Sequence, residues 1–362
     1  MTDDIAYLAA DTLREFTEDV FIKLGVPPKD AAICADVLVT SDLRGIDTHG
    51  VQRLKIYYDR IKAGIQSPKT KITIVKETPT TARIDAGHGM GHVAAHRAME
   101  IAIKKAKEYG TGAVSVGNST HFGIAGYYSL MAIKEGMIGI AVTNARPAIA
   151  PTFGVENMMG TNPLTIGIPT DEKFPFLIDC ATSIIQRGKI ELLSRTEELA
   201  QPGWVIDKEG KKMTDTTEIL SALLQGRAAF LPLGGDGEEF GGHKGYGYAT
   251  AVEILSAALS GGPYLKDLDL RKDYRLGHFL MAIDVGSFIE PETFKKISGN
   301  ICRELRSSKK APGRDRIYTA GEKEYEMEQI RRREGIPINR SIQQDILRIK
   351  EGLKLDQYNF EF

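Results

Sequence analysis

Helical and extended hydrophobic patterns alternate between residues 93 and 180, and this alternation constrains the fold more than any other feature of the sequence. Two stretches have helical spacing and four are short apolar runs: helices at 93–108 and 123–135, and strands at 113–117, 137–143, 163–169 and 175–179. Alternating helices and strands predict an α/β fold. Because the last strands follow one another without a helix between them, we expect a mixed sheet rather than an all-parallel one.

Helical patterns flank this core at both ends of the chain. Apolar residues recur at helical spacing over residues 3–24, and the charged segment after Pro312 is again helical in pattern. We expect the C-terminal helices to rejoin the N-terminal ones. The sequence therefore predicts two domains, a helical one made of residues 1–75 and 290–362 and an α/β one made of residues 76–289.

The charge balance and the cysteines narrow the class of protein. Lys and Arg total 47 and Asp and Glu total 48 in 362 residues, so no net field would attract nucleic acid or acidic lipid. Small soluble molecules are therefore the expected partners, and no apolar run approaches the ~20 residues that a membrane span needs.

The three cysteines, Cys34, Cys180 and Cys302, are far apart, which favours a reducing compartment. Since the N-terminus also lacks a signal-peptide pattern, we expect a cytoplasmic protein.

The stretch from Ser41 to Leu54 holds the densest group of candidate catalytic side chains. One helix is predicted to end and the next to begin within it, so His49 falls in a corner between two helices, with Arg53 one turn beyond. A proton-transferring imidazole beside a guanidinium suits a substrate whose carboxylate adjoins the reacting carbon. The alternative is a capping turn, in which Asp47 or Thr48 caps the second helix and His49 has no chemical role.

A rival site overlaps the start of the first predicted helix of the core. His88, His92, His96 and Glu100 recur every four residues, a spacing that could stack them on one helical face and hold a metal ion in a hydrolase. The segment Gly87-His-Gly-Met-Gly91 is similar to a dinucleotide fingerprint, but its third glycine position falls on His92. We therefore do not expect an ordinary Rossmann site there. A non-enzymatic small-molecule-binding protein is a further alternative.

Two glycine-containing stretches are candidates for contact with a cofactor. Thr120–Gly126 lies where a strand gives way to a helix, and N–H groups at a helix start can hold a phosphate. The tract 233–247 carries Lys244 and is too rich in glycine for regular structure. We therefore expect a loop over this tract and a helix at 248–260.

Six motifs along the chain together resemble the malate/L-lactate dehydrogenase family, which is distinct from the Rossmann-type lactate and malate dehydrogenases. In chain order they are Asp42-Leu-Arg-Gly-Ile-Asp-Thr-His-Gly-Val-Gln-Arg53, Asn118-Ser-Thr-His-Phe-Gly123, Gly160-Thr-Asn-Pro163, Ile178-Asp-Cys-Ala-Thr-Ser183, Arg187-Gly-Lys189 and Lys244-Gly-Tyr-Gly247. The motifs follow one another in order along nearly the whole chain, which makes the match specific although no single motif is specific alone. The resemblance implies a nicotinamide cofactor bound to a mixed-sheet core of non-Rossmann topology. It leaves the choice between NAD and NADP open.

The resemblance also implies which residues do the chemistry. Thr48 and His49 would form a hydroxyl–imidazole pair, with His121 as the alternative proton-transferring imidazole. We favour His49 for this role and His121 for contact with the cofactor. The substrate would be surrounded by Arg53, Thr161 and Arg187.

Four segments would line the cofactor by the same resemblance. They are His121, Phe122, Gly123, Ile124 and Ala125; Asp179, Cys180 and Ala181; Lys244 and Gly245; and Tyr318, Thr319 and Ala320. Cys180 stands where methionine is usual in the family, which is a tolerable apolar exchange.

The implied activity is hydride transfer between NAD or NADP and a small 2-hydroxy acid, without a metal. We favour malate and oxaloacetate as the substrate pair, with lactate and sulfolactate as alternatives. Lys189 stands where the imino-acid reductases of the family carry aspartate, which counts against that activity. The family resemblance also implies a homodimer.

Overall fold

The computed structural model describes residues 5–268 and 275–362. The helices are α1 (Ala10–Lys23), α2 (Pro28–Leu43), α3 (Leu54–Lys62), α4 (Gly91–Tyr109), α5 (Gly126–Lys134), α6 (Arg187–Arg195), α7 (Thr216–Leu224), α8 (Gly242–Glu253), α9 (Pro291–Ser307), α10 (Glu322–Glu334) and α11 (Arg340–Leu353). The strands are β1 (Ala6–Leu8), β2 (Thr73–Glu77), β3 (Thr81–Asp85), β4 (Thr111–Ser119), β5 (Ile138–Thr143), β6 (Leu164–Ile168), β7 (Phe176–Cys180), β8 (Val205–Asp207), β9 (Lys212–Met213), β10 (Ala228–Phe230), β11 (Leu276–Ile283) and β12 (Ile336–Ile338).

A seven-stranded sheet forms the centre of the α/β core, in the order β2-β3-β4-β11-β5-β6-β7. β3 and β4 are parallel and are joined through α4, whereas the other neighbouring pairs are antiparallel. The predicted mixed-sheet α/β fold is therefore confirmed. The apolar faces of α4 and α5 pack on the sheet, where Ile84, Met99, Val114 and Leu280 are fully buried.

The two ends of the chain share a second hydrophobic core. Side chains of α1, α2 and α3 pack there with β12 and α11. The helix predicted over residues 3–24 is wrong at its start, because β1 pairs antiparallel with β12 and α1 begins only at Ala10. Residues 3 and 4 of that prediction lie outside the described residues.

A third cluster of buried residues lies under the small antiparallel sheet β10-β8-β9 and the helices α6, α7 and α8. The predicted loop over the glycine tract is wrong at its end, since α8 begins at Gly242 rather than near residue 248. A Cβ on Gly242 would lie 2.1 Å from the Gly235 carbonyl oxygen, and one on Gly245 would lie 2.1 Å from the Leu233 carbonyl oxygen. The glycines of this tract thus let a helix approach neighbouring backbone.

The C-terminal helices do not all contact the same part of the molecule. α10 and α11 pack on the N-terminal helices. α9 lies against the loop after β6, where Ser298 Oγ donates to the Pro169 carbonyl oxygen at 2.8 Å. The division into residues 1–75 with 290–362 and residues 76–289 stays a prediction. Within the described residues, no helix combines the length and apolar character needed to cross a membrane.

Candidate active site

A cavity of about 650 Å³ collects residues from the corner before α3, the ends of β4 and β5, and the start of α6. Six of the predicted site residues line it: Thr48, His49, Arg53, His121, Thr161 and Arg187. They come from four separate stretches of the sequence, so the fold brings together residues that are far apart in the chain. Their chemical roles stay predictions.

The corner between α2 and α3 orients His49. Thr48 Oγ1 lies 2.9 Å from His49 Nδ1, and the Thr48 carbonyl oxygen accepts a hydrogen bond from Arg53 Nε. Within the described chain, His49 Nε2 has no recorded protein partner, so this nitrogen is available to a ligand in the cavity. The hydroxyl, the imidazole and the guanidinium therefore form one connected group.

Close backbone packing holds this corner in place. The buried carboxyl group of Asp42 accepts a hydrogen bond from the Val51 N–H at 2.7 Å. A Cβ on Gly50 would lie 1.8 Å from Asp42 Oδ1, so only glycine fits between the two residues. The end of α2 therefore fixes the turn that carries Thr48 and His49.

His121 lies in the same cavity as His49, not at a distance from it. The two imidazole rings are nearly parallel, with centroids 5.7 Å apart. His121 Nδ1 lies 2.6 Å from the hydroxyl oxygen of Tyr57, a buried residue of α3. Both histidines are thus placed to contact the reacting part of a ligand, and each is oriented by a hydroxyl group.

Burial sets the protonation of both imidazoles. Burial, together with the nearby Arg53 guanidinium, lowers the pKa of His49 to about 4. Burial also lowers the pKa of His121 well below its usual range, and His49 adds to this effect. Both rings are therefore neutral near pH 7, the state in which an imidazole can accept a proton.

Basic side chains dominate the charge of the cavity. Arg53, Arg60, Arg146 and Arg187 line it, and among its lining residues the acidic side chain is Glu191, which pairs with Arg187 Nε at 2.8 Å. The cavity therefore favours an anionic ligand, and it suits one with two negative groups.

Sequence reasoning missed several residues of this cavity. Tyr57 and Arg60 line it but are not among the predicted site residues. The signal was present, because residues 53, 57 and 60 are spaced to share one helical face. Arg146 and Asn157 reach the cavity from loops, and no local pattern marks them.

The four predicted cofactor segments meet around β7. The Gly126 N–H, directly after His121–Ala125, donates to Asp179 Oδ2 at 2.7 Å. The Ala320 carbonyl oxygen accepts from the Leu177 N–H at 3.1 Å. The backbone of Leu233, against which Gly245 packs, bonds to Thr182 at 2.8 Å.

These contacts bring the four segments near one another, as the binding of a single extended dinucleotide requires. Lys244 is exposed and supplies a cation for a phosphate. The phosphate site suggested at the start of α5 is wrong in one respect, since the Asp179 carboxyl group already accepts the Gly126 N–H. Burial raises the pKa of Asp179 to about 6. The cofactor roles of these residues stay predictions.

The rival histidine ladder is not assembled in the structure. His88 precedes α4, and its Nε2 lies 2.9 Å from the Ile65 carbonyl oxygen. His92 is fully buried, with its ring centroid 4.8 Å from that of Tyr57, whereas His96 Nδ1 lies 3.7 Å from Glu100 Oε1. Within residues 5–268 and 275–362, no three potential ligands from His, Cys, Asp and Glu converge on a metal position.

Comparisons with known proteins agree with the motifs. The family model described as malate/L-lactate dehydrogenase matches residues 8–347. The malate dehydrogenase of Pyrococcus horikoshii is 46% identical over 96% of this chain and 95% of its own length. The L-sulfolactate dehydrogenase of Methanocaldococcus jannaschii is 39% identical over 97% of this chain and 99% of its own length. The crystal structure of a malate dehydrogenase from Entamoeba histolytica superimposes with a TM-score of 0.95 at 45% identity, covering 99% of this chain and 100% of that chain. The protein is thus a dehydrogenase of 2-hydroxy acids that belongs to the malate/L-lactate dehydrogenase family.

Proposed function

We propose that this protein interconverts malate and oxaloacetate with a nicotinamide cofactor, NAD or NADP. The observation that carries the proposal is the cavity in which a hydroxyl–imidazole pair, Thr48 and His49, lies beside several arginine side chains. The imidazole supplies a proton acceptor, and the arginines match a substrate with two carboxylates.

In the oxidation direction, Arg53 binds the carboxylate next to the reacting carbon. Thr48 holds His49 Nδ1, so Nε2 of the same ring accepts the proton of the substrate hydroxyl. When bound, the nicotinamide ring supplies the acceptor for the hydride from the same carbon. Reduction requires the protonated form of His49, which returns the proton to the substrate oxygen.

His121 is placed for a supporting role in this scheme. Its Nδ1 is engaged by Tyr57, and its ring faces that of His49. It also begins the segment His121–Ala125, which we assign to the nicotinamide end of the cofactor. His121 would thus close the space between the substrate and the cofactor, and exclude water from it.

The arginines of the cavity favour malate over lactate as the substrate. Lactate has one carboxylate, whereas malate has two and so matches more of the arginine-rich lining. Sulfolactate also has two negative groups, and the relative in Methanocaldococcus jannaschii is named an L-sulfolactate dehydrogenase. Sulfolactate is therefore the second candidate substrate.

Substrate oxidation and reduction can be followed at 340 nm. We expect oxaloacetate to be reduced with NADH or NADPH, with a kcat/KM at least tenfold above that for pyruvate, because one bidentate ion pair contributes about 1.5–3 kcal/mol. A higher kcat/KM for sulfopyruvate would select the second candidate. Equal values for pyruvate and oxaloacetate would contradict the dianion argument. His49→Asn is the control, because loss of the imidazole should lower the rate with all three substrates by a similar factor.

We also propose that the protein is a homodimer, because its helical end units are peripheral to the α/β core. Sedimentation at micromolar concentration tests this, and a mass of 39.8 kDa, that of a single chain, would contradict it.

A further inference from the structure

Helix α10 connects two parts of the site that are far apart in the sequence. It spans 13 residues from Glu322 to Glu334, a length of about 20 Å. The proposed cofactor segment Tyr318–Ala320 directly precedes its first turn. Its last turn carries Arg331, which reaches the corner that holds Thr48 and His49.

The start of α10 is anchored to β7. The Ala320 carbonyl oxygen accepts from the Leu177 N–H at 3.1 Å, and a Cβ on Gly321 would lie only 3.0 Å from the Pro175 carbonyl oxygen. The buried carboxylate of Glu322 accepts from the Thr319 N–H at 3.0 Å. The helix therefore starts at a fixed position relative to the proposed cofactor segment.

The end of α10 is anchored to the catalytic corner. The guanidinium of Arg331, which is 9% exposed, donates to the Asp42 carbonyl oxygen and to both carboxylate oxygens of Asp47. The Nη2–Oδ2 distance to Asp47 is 3.1 Å. One turn earlier, Met327 packs against Gly45, where a Cβ would lie 2.9 Å from Met327 Cγ.

Both residues that Arg331 binds control the position of His49. Asp47 begins the single 3₁₀ turn that also contains Thr48 and His49. Asp42 holds the other side of that turn, because its carboxyl group accepts a hydrogen bond from the Val51 N–H at 2.7 Å. Arg331 therefore joins both sides of the turn to one rigid helix.

We propose that Arg331 is a positioning residue for proton transfer, and that α10 is the spacer that sets the catalytic corner relative to the cofactor. This inference rests on the proposed function of His49. Hydride and proton transfer need the imidazole, the substrate and the nicotinamide in one geometry, so small displacements of the corner lower turnover more than binding. Arg53 directly precedes Leu54, the first residue of α3, so this helix holds its backbone although its Nε bonds to the Thr48 carbonyl oxygen. We therefore expect the substrate carboxylate to keep its partner.

The competing explanation is that Arg331 only stabilises the fold. A purely structural ion pair would lower the melting temperature but leave turnover unchanged in the molecules that remain folded. Turnover must therefore be expressed per functional cofactor site, counted by titration of NADH fluorescence. This measurement removes the effect of a smaller folded fraction.

The test compares Arg331→Met with Arg333→Met in the full-length protein. Arg333 lies in the same last turn, but its side chain is 71% exposed and pairs only with Glu334 among the recorded ion pairs of the described residues. We expect Arg331→Met to lower kcat per cofactor site by roughly 10–100-fold, with the KM for malate changed less than about threefold and NADH affinity little changed. Arg331→Lys, which keeps the charge, should recover part of the loss, and Arg333→Met should behave like the wild type.

Two further outcomes decide the proposal. If Arg331→Met fails to fold, Asp47→Asn replaces it. Asp47 is half exposed, and its substitution leaves the hydrogen bond from Arg331 to the Asp42 carbonyl oxygen intact. A lower kcat per cofactor site is again expected. A wild-type kcat per site in the folded variant would overturn the proposal, even if its melting temperature fell. The failure of the proposed function is recognised separately, since the wild-type protein would then show no turnover of malate at all.

Discussion

The pH dependence of the two reaction directions gives the sharpest test of the proposed chemistry. Oxidation of malate releases one proton, so the ratio of kcat/KM for oxidation to kcat/KM for reduction must rise tenfold with each pH unit. The pKa of the catalytic imidazole decides which of the two rates carries this change. Above that pKa the imidazole is neutral, so oxidation is constant and reduction falls. Below it, reduction is constant and oxidation falls.

At neutral pH we expect the rate of reduction, not the rate of oxidation, to carry the tenfold change per pH unit. Burial and Arg53 lower the pKa of His49 to about 4, so about one free enzyme molecule in 1,000 carries the imidazolium at pH 7. Between pH 6 and pH 8 we therefore expect kcat/KM for oxaloacetate reduction to fall about 100-fold, while that for malate oxidation stays level. Oxidation should decrease only as the pH approaches the pKa.

Initial rates at 340 nm, with saturating cofactor and limiting malate or oxaloacetate, measure both profiles at constant ionic strength. Oxidation that climbs tenfold per unit from pH 5.5 to 7.5, with level reduction, would refute the argument, because the base would then have a pKa above 7. His121→Asn provides the control. The pH at which the profiles bend should be unchanged in this variant if His49 transfers the proton, and it should move if His121 does.

Three other predictions concern the catalytic imidazole, the packing of the corner and the absence of a metal from the chemistry. His49→Ala should lower kcat by roughly 10²–10⁴-fold with cofactor affinity little changed, whereas His121→Ala should chiefly weaken cofactor binding, as measured by NADH fluorescence titration. Gly50→Ala should lower the free energy of unfolding by about 2–4 kcal/mol in urea denaturation, because the new Cβ would displace the buried Asp42 carboxyl group from its backbone donor. Gly247→Ala, where a Cβ meets no atom within 4 Å, should instead leave it unchanged or raise it slightly. Exhaustive chelation should leave full activity, and a loss that zinc restores would support the histidine ladder.

Local patterns were sufficient for the elements whose neighbours in space are also neighbours in sequence. Helix α4 and strand β4, predicted at 93–108 and 113–117, follow directly from apolar spacing. The position of β11 does not, because it inserts between β4 and β5 from more than 130 residues away. Its sequence shows that it is a strand but carries no information about which strands it joins.

The two wrong secondary-structure predictions also result from contacts between distant parts of the chain. Residues 6–8 have helical spacing, yet they form a strand because β12 supplies a pairing partner from the other end of the chain. The glycine tract has low helix propensity, yet α8 begins inside it because the absence of side chains allows contact with the Leu233 and Gly235 backbone. In both cases a tertiary contact outweighs the local preference, and no window of neighbouring residues contains that contact.

The charge of the cavity also depends on the fold and not on the overall composition of the chain. The chain as a whole has a formal net charge of -1, which gives no reason to expect a polyanionic partner. The cavity nevertheless concentrates guanidinium groups, because α3, the loop after β5 and the start of α6 each direct arginine side chains into it. A field of this kind acts over about 8–10 Å at physiological salt, so it can select a small dianion without making the protein surface basic. The proposed substrate class thus depends on where a few arginines meet, which requires the fold, whereas the proposed proton-transfer pair, Thr48 and His49, is already adjacent in the sequence.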